Sequence, residues 1–347
     1  MAPTRTAQWI VDGKNGFDNL KLEPSADIPI LGDHDCLVQV EAVSLNYRDL
    51  IIPKGQYPLP VKLPVVPGSD ACGTVLSTGS RVSRFSTGDR VCTLFNQGHL
   101  AGSLDPKSLG TGLGGNLNGT LRQFAVFEED GLVLAPKNLS QTESSTLTCA
   151  ALTAWNALYG LRSLKPGEWV LTQGTGGVSI AAIQFALAAG ATVIATTSSD
   201  AKAQKLRGLG VQHIINYTKI PNWGEEAKKV TPGGMGVHHI VEVGGALTAA
   251  QSLRAISIDG VISVVEFLSG PVVANQPTLL DTLTSICVVR GLIVGSRFQF
   301  EEMIKAIEIN DIRPLIDEKV FDFQEVRETY QYMWDQKHFG KVVVRIC

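Results

Sequence analysis

The stretch Glu168-Trp-Val-Leu-Thr-Gln-Gly-Thr-Gly-Gly-Val-Ser179 decides the fold. Trp169 to Thr172 reads as a buried strand, Gly174 to Gly177 as a tight turn, and the alanine-rich run Val178 to Ala189 as an apolar helix. Pro166-Gly167 opens the unit and Gly190 closes it. A strand that passes through glycines into a helix N-terminus is a pyrophosphate cradle. Glycine lets phosphate oxygens approach the backbone, and the first helical N–H groups lack intrahelical partners and carry a positive partial charge. The expected contacts are Gly174, Thr175, Gly176, Gly177 and Val178. Ser179 stands where a third small residue is usual, and its hydroxyl still allows the helix to pack closely on the strand.

Downstream, strands and helices alternate. Strands are expected at Thr192–Thr196, His213–Asn216, His238–Val243, Val261–Glu266 and Cys287–Val294. The helices between them are Asp200–Leu209, Asn222–Val230, Ala246–Ile256 and Thr278–Ser285. With Trp169–Thr172 this makes a Rossmann-type, doubly wound parallel sheet of six strands, an α/β fold. Upstream, Thr146 to Leu161 reads as one apolar helix. Before it the texture is β: a hairpin within residues 1–30, then strands at Cys36–Ala42, Gly73–Ser77, Arg90–Leu94 and Leu121–Val126. Asn96 to Asn118 lacks periodicity and reads as a long excursion, either a surface loop or a wall of a substrate pocket. After Arg297 come a helix at Phe300–Ile309, a strand near Lys319–Phe321, a helix at Phe323–Gln336 and a strand at Lys341–Ile346.

A length of 347 residues accommodates two domains. Net charge is −3, with no basic block or acidic tail, which argues against nucleic acid and anionic membranes as partners. No apolar run reaches the ~18 residues of a membrane span, and Met1-Ala-Pro-Thr-Arg5 has no signal-peptide core, so the expected location is cytoplasmic. The six cysteines form no C-x-x-C pair and are expected to be buried free thiols. His238 and His239 are strand neighbours pointing to opposite faces, a poor pair for one metal.

The second strand of a dinucleotide fold identifies the cofactor, because an acid at its tip accepts from the ribose hydroxyls of NAD. Here the tip carries Thr197, Ser198 and Ser199, with Lys202 one turn into the next helix. Hydroxyls plus an ammonium suit a 2′-phosphate, so NADPH is expected. Asp200 is read as the N-cap of that helix over a ribose contact, and Tyr217 either stacks or bonds near the same phosphate or packs the strand end.

Several stretches carry a resemblance across nearly the whole chain. They are Leu45-Asn-Tyr-Arg-Asp49, Gly55-Gln-Tyr57, Pro67-Gly-Ser-Asp-Ala-Cys-Gly73, Gly88-Asp-Arg-Val91, Ala151-Leu-Thr-Ala-Trp155, Gln173-Gly-Thr-Gly-Gly-Val178 and Phe339-Gly-Lys341. The chain resembles the zinc-independent members of the medium-chain dehydrogenase/reductase superfamily, the quinone oxidoreductase-like and zinc-free alcohol dehydrogenase-like proteins. The resemblance implies a GroES-like β domain from residues 1–150 plus the returning tail 297–347, with a Rossmann NADPH-binding domain at 151–296. It also implies a nicotinamide-side contact from Thr153, cofactor contacts from Phe339 and Lys341, and pairing of the last sheet strand across a two-fold axis in a homodimer. Val243, Gly244, Phe267, Leu268 and Val294 end parallel strands at the switch-point face, where the second half of the cofactor is expected.

The departures from the zinc enzymes are informative. Where they carry Cys, a His-Glu pair and Cys around the catalytic metal, this chain has Asn46, Ser69-Asp70 and Cys149. The four cysteines of a structural zinc lobe are missing from Asn96–Asn118. One thiol with an amide and a hydroxyl is not a zinc site, so no metal is expected. Without that Lewis acid, the expected reaction is hydride transfer from NADPH to an activated C=C of an α,β-unsaturated carbonyl, or to a quinone. The candidate donors are Tyr57, matched to the tyrosine implicated in related enoyl reductases, then Tyr47 and Asn46; Asn46 is also a candidate partner of the nicotinamide ribose. Three other readings stay open: an enoyl reductase acting in trans for a polyketide or fatty-acid pathway, a non-enzymatic NADPH-binding protein, and a zinc alcohol dehydrogenase.

Overall fold

The computed structural model describes residues 3–266 and 276–347. The chain divides into two units, Met1–Leu152 together with Gly295–Cys347, and Thr153–Val294.

The second unit is built on one sheet. Its strands are β1 (Trp169–Gln173), β2 (Thr192–Thr197), β3 (His213–Asn216), β4 (Val237–Glu242), β5 (Ile256–Val264) and β6 (Val288–Gly291). They lie in the order β3-β2-β1-β4-β5-β6, all parallel. Continuous apolar runs suit strands covered on both faces. Val170, Leu171, Val193, Ile194, Ile240, Val241 and Ile262 are accordingly buried. The helix Gly177–Ala188 is apolar but for Ser179 and Gln184 and buries Ile180, Ala182, Ile183 and Phe185. β5 starts five residues before the expected Val261, because a register shift against β4 between Val237 and His239 absorbs a turn at Asp259, whose φ is 57°. Strand order reverses between β1 and β4, which puts a topological switch point at their carboxyl ends. Phe267 and Leu268 lie outside the described residues.

The first unit is a β structure of two sheets. Arg5–Val11 and Leu20–Asp27 form the expected hairpin. A seven-stranded sheet centres on Asp35–Ser44, which pairs antiparallel with Asp70–Thr78, Phe124–Glu128 and the C-terminal Val343–Arg345. The tail thus returns into the sheet that the N-terminal half begins. The strand expected at Leu121–Val126 starts instead at Phe124. Leu121 and Gln123 bond to other partners, with Trp9 N donating to Leu121 O and Gln123 N to Ala7 O. The helix expected over Thr146–Leu161 is two pieces, a π turn at Leu147–Ala151 and an α-helix at Leu152–Tyr159. In the Asn96–Asn118 excursion the regular structure is one short helix, Pro106–Leu109, capped by Asp105. All six cysteines are free; Cys36, Cys72 and Cys92 are buried.

Candidate active site

In the Rossmann unit the glycine turn has the geometry of an anion cradle. Gly174 has φ 73° and donates its N–H to Thr196 O at 2.9 Å. Gly176 caps the helix Gly177–Ala188 with no side-chain acceptor for the first-turn N–H groups. A Cβ built on Gly174 or Gly176 meets nothing within 4 Å, so the turn faces open space. Thr175 and Val178 are buried beside it. The Ser179 hydroxyl donates to Gln173 O at 2.6 Å, tying helix to strand. A phosphate fits here: the donors are backbone, unpaired by side chains, and at a helix start.

The tip of β2 differs from expectation in one respect. Ser199, not Asp200, is the N-cap, its Oγ accepting from Lys202 N at 3.4 Å. Both residue types cap helices, and tertiary partners decide between them. Asp200 is engaged elsewhere, accepting from Lys219 Nζ at 2.6 Å and Asn216 Nδ2 at 2.9 Å. These bonds, Lys219 first, hold its carboxyl below the usual value. Thr197 is buried, its Oγ1 accepting from Ser199 N at 3.3 Å and its carbonyl from Tyr217 N at 3.0 Å. Ser198 and Tyr217 are exposed.

At the end of β4, Val243 N and Gly244 N both donate to Gln173 Oε1, at 3.2 and 3.1 Å. Val294, the last residue of this unit, holds φ at 51°. A β-branched residue there costs on the order of 1–3 kcal/mol. The Asn156 amide holds its carbonyl at 2.7 Å. Thr153 is buried in the first turn of Leu152–Tyr159.

The β unit holds a second constellation, buried except for the half-buried Cys149. Lys341 Nζ donates to Asn46 Oδ1 at 2.6 Å, to Leu45 O at 2.7 Å and to Asp70 Oδ2 at 3.4 Å. Asn46 Nδ2 donates to Asp70 Oδ1 at 2.9 Å and reaches Ser69 Oγ at 3.4 Å. The hydroxyls of Ser69 and Ser44 also donate to Asp70, at 2.6 and 3.2 Å. The π turn adds one more donor, Cys149 N, at 3.2 Å from Asp70 Oδ2. The amide of Asn46 is therefore spent inside the cluster on both its oxygen and its nitrogen. Burial, then the nearby Asp70 carboxylate, push the Cys149 thiol well above its usual value.

Next to this cluster, Arg48 is the hub of a second layer. Its guanidinium lies 5.2 Å from the ring of Tyr57 and 4.7 Å from that of Phe95, and Nη1 donates to Leu113 O at 2.8 Å. A side chain at Gly115 would come within 2.8 Å of Arg48 Nη2. One arginine thus ties the helix Tyr47–Ile51, the turn bearing Tyr57 and the excursion together. Burial alone would lower the guanidinium pKa; Tyr57 and Asp49 outweigh it and raise it. Asp49 accepts from Asn46 N at 2.8 Å, and burial raises its carboxyl to about 6 against the opposing pull of Arg48. Tyr47 is half-buried against the core of the unit, and Phe339 is buried, its N–H donating to Asp317 at 2.9 Å.

Among known proteins, residues 32–137 match the alcohol dehydrogenase GroES-like domain and residues 177–309 match the zinc-binding dehydrogenase family. A zinc-type alcohol dehydrogenase-like protein of Schizosaccharomyces pombe is 46% identical over 341 residues, covering 96% of this chain and 97% of that one. The chain belongs to the medium-chain dehydrogenase/reductase superfamily. It is an oxidoreductase of that class, and the dehydrogenases of the superfamily bind a nicotinamide cofactor. A crystal structure of a Sinorhizobium meliloti protein assigned to the alcohol dehydrogenases superposes over 100% of both chains, with TM-score 0.91 and 38% identity. The quinone oxidoreductase of Sus scrofa is 28% identical over 308 residues, covering 87% of this chain and 86% of that one.

In this medium-chain oxidoreductase the residues that sequence reading missed are the supports. Ser44, Glu242 and Ser252 are buried polar groups with several hydrogen-bond partners each, and Asp49 is a buried carboxylate bonded to Asn46 N and 3.8 Å from Arg48 Nη1. One of them left a signal: Glu242 closes an otherwise apolar strand end, Ile240-Val241. An acid in a buried strand needs donors, and that alone marks it.

Proposed function

We propose that this oxidoreductase uses NADPH to reduce the activated C=C of an α,β-unsaturated carbonyl, or a quinone, without a metal ion. The observation that carries the reading is Lys341 Nζ bonded to Asn46 Oδ1 and Asp70 in the cluster that includes Ser69 and Cys149. Zinc requires deprotonated thiolate, imidazole or carboxylate donors in a tetrahedron. The groups here are an amide already bonded to an ammonium, a hydroxyl donating to Asp70, a single thiol, and one carboxylate, Asp70, already accepting from Lys341, Asn46, Ser69, Ser44 and Cys149 N. The residues do not fit the ion. Among the described residues no three His, Cys, Asp or Glu side chains gather into a metal-holding group.

When bound, a reduced nicotinamide would supply the hydride that the β carbon of the enone takes up. The protein's part is to stabilise the enolate and deliver one proton to the α carbon. Tyr57 gives that proton, and the cation of Arg48 beside it stabilises the phenolate left behind. Asn46 and Lys341 act as positioning residues that hold the helix Tyr47–Ile51, and Tyr47 is the second candidate donor. Gly174, Thr175, Gly176, Gly177 and Val178 receive the pyrophosphate; Val243, Gly244, Val294 and Thr153 meet the nicotinamide half. Ser198 and Lys202 receive the 2′-phosphate. This preference draws support from Asp200, whose carboxylate is already paired with Lys219 and Asn216. The name of the Sus scrofa relative supports the quinone arm.

The same reading includes a homodimer. β6 is the last strand of its sheet, and the adjoining helix Leu279–Ser285 exposes Leu279, Leu280 and Leu283, with Ile286 beyond it. An apolar helix beside an open strand edge is a surface that a second copy would cover. Light scattering at micromolar protein checks it: twice the 37.2 kDa chain mass supports the dimer, and a monomer overturns it. No helix among the described residues is long and apolar enough to cross a membrane. The activity is tested by following NADPH oxidation on an enone and quinone panel with metal-stripped enzyme. Turnover that survives chelation supports the reading, and turnover that requires added zinc overturns it.

A further inference from the structure

The carboxyl end of β4 is organised around one carboxylate. Glu242 is 1% exposed. Its Oε1 accepts from the N–H groups of Gly244 and Gly245, both at 2.9 Å, and from the Thr248 hydroxyl. Its Oε2 accepts from Gln173 Nε2 at 2.6 Å and from the Ser252 hydroxyl. A buried carboxylate with this many donors is a well-satisfied charge, held by amide and hydroxyl dipoles.

Gln173 completes the arrangement. Its Nε2 bonds Glu242 and, at 2.9 Å, Ser252 Oγ; its Oε1 accepts from Val243 N and Gly244 N; its main-chain carbonyl accepts from Ser179. It is also the residue directly before Gly174. One side chain therefore connects the start of the glycine turn to the loop after β4. The fit is tight, since a Cβ on Gly244 would lie 2.3 Å from Thr248 Oγ1.

We propose that Gln173 and Glu242 form a latch that fixes the Val243–Gly245 loop to the glycine turn, so that both halves of the cofactor meet one rigid surface. The two are positioning residues, and the proposal rests on the reading that Val243 and Gly244 meet the nicotinamide half. The directions of the bonds dictate the behaviour of variants. Glu242→Gln sets an NH2 group against the NH2 of Gln173, and relieving that by turning Gln173 withdraws the acceptor from Val243 N and Gly244 N. Gln173→Glu sets two carboxylates together. The double exchange Gln173→Glu with Glu242→Gln restores the bonds among residues 173, 242 and 252 in the opposite sense, and leaves an oxygen at each position to accept from the same N–H groups and the Thr248 hydroxyl.

The test is calorimetric binding to the full chain of NADPH and of adenosine 2′,5′-bisphosphate, which lacks the nicotinamide half. Each single variant is expected to weaken NADPH binding about tenfold to hundredfold, the scale of a hydrogen bond to a charged group. The bisphosphate should bind each variant within about threefold of wild type, and the double exchange should recover NADPH binding to a similar margin. Merely structural damage would weaken both ligands alike and would not be repaired by the exchange; that result overturns the latch. So does a single variant that binds NADPH as wild type does. If a single variant fails to fold, the double exchange still decides, by binding NADPH or not. Wild type that binds neither NADPH nor NADH would overturn the cofactor reading itself, a separate result from unaffected binding in the variants.

Discussion

Two buried carboxylates anchor the two units, and they are balanced in different ways. Asp70 in the β unit faces a cation, the Lys341 ammonium, together with Asn46, two serine hydroxyls and Cys149 N. Glu242 in the Rossmann unit is held by backbone amides, a glutamine and two hydroxyls. Dipoles of the backbone come with the fold, so a charge they satisfy orders the loop that supplies them. A side-chain cation is separate, and it brings with it the segment from which it projects. The Glu242 arrangement shapes a local loop; the Asp70 arrangement stitches residue 341 to residues 45, 46 and 70.

Removing a partner is the sharpest way to break this comparison. Lys341→Met should cost about 3–5 kcal/mol in urea unfolding, because it leaves Asp70 buried and uncompensated. Adding Asp70→Asn to that variant should recover much of the loss. A Lys341→Met protein within about 1 kcal/mol of wild type would mean that the ammonium does not balance Asp70. Tyr57→Phe addresses what the β unit does chemically. We expect kcat on an enone to fall about hundredfold or more with NADPH affinity unchanged, the scale of a lost proton donor. Unchanged kcat would remove Tyr57 from the reaction.

Asp49 tests whether charge in the β unit is also a burden. Its folded value, about 6, lies above the ordinary 3.8. The native state therefore binds more protons than the unfolded state between these values. The stabilising contribution is complete below the unfolded pKa and is lost as pH rises through about 6. Relative to Asp49→Asn, wild type should lose on the order of 1 kcal/mol between pH 5 and pH 8. Parallel stability curves for the two proteins would contradict it. The smallest effect is expected at the Rossmann strand tip. Lys202→Ala should narrow the preference for NADPH over NADH by about three- to tenfold in Kd. A preference that survives unchanged would move 2′-phosphate recognition away from Lys202.

The parts of the molecule that were readable in the sequence are those fixed by neighbours along the chain. The β1 run, the glycine turn and the Val178–Ala189 helix follow from hydrophobic period and glycine position; the strand runs one residue further, to Gln173, and the helix starts and ends one residue earlier. The supports were unreadable because their partners are remote. Lys341 reaches Asn46 across 295 positions and Gln173 reaches Glu242 across 69. Ser199 and Asp200 are adjacent and equally good caps by type; Lys219 and Asn216, from the next strand and turn, draw Asp200 away. The π turn was hidden for a different reason: Leu147–Ala151 has a helical composition, and nothing along the chain marks the turn whose Cys149 amide bonds the remote Asp70.

Ser179 has a consequence for engineering. A designer working from the dinucleotide fingerprint would replace it with glycine, the residue the pattern favours at that position. The Ser179 hydroxyl is the only side-chain donor described on Gln173 O, and Gln173 is half of the latch. Conforming to the pattern would cut that tether and would place a flexible residue in the first turn of a buried helix. In this chain the family average is the wrong template for its own glycine turn.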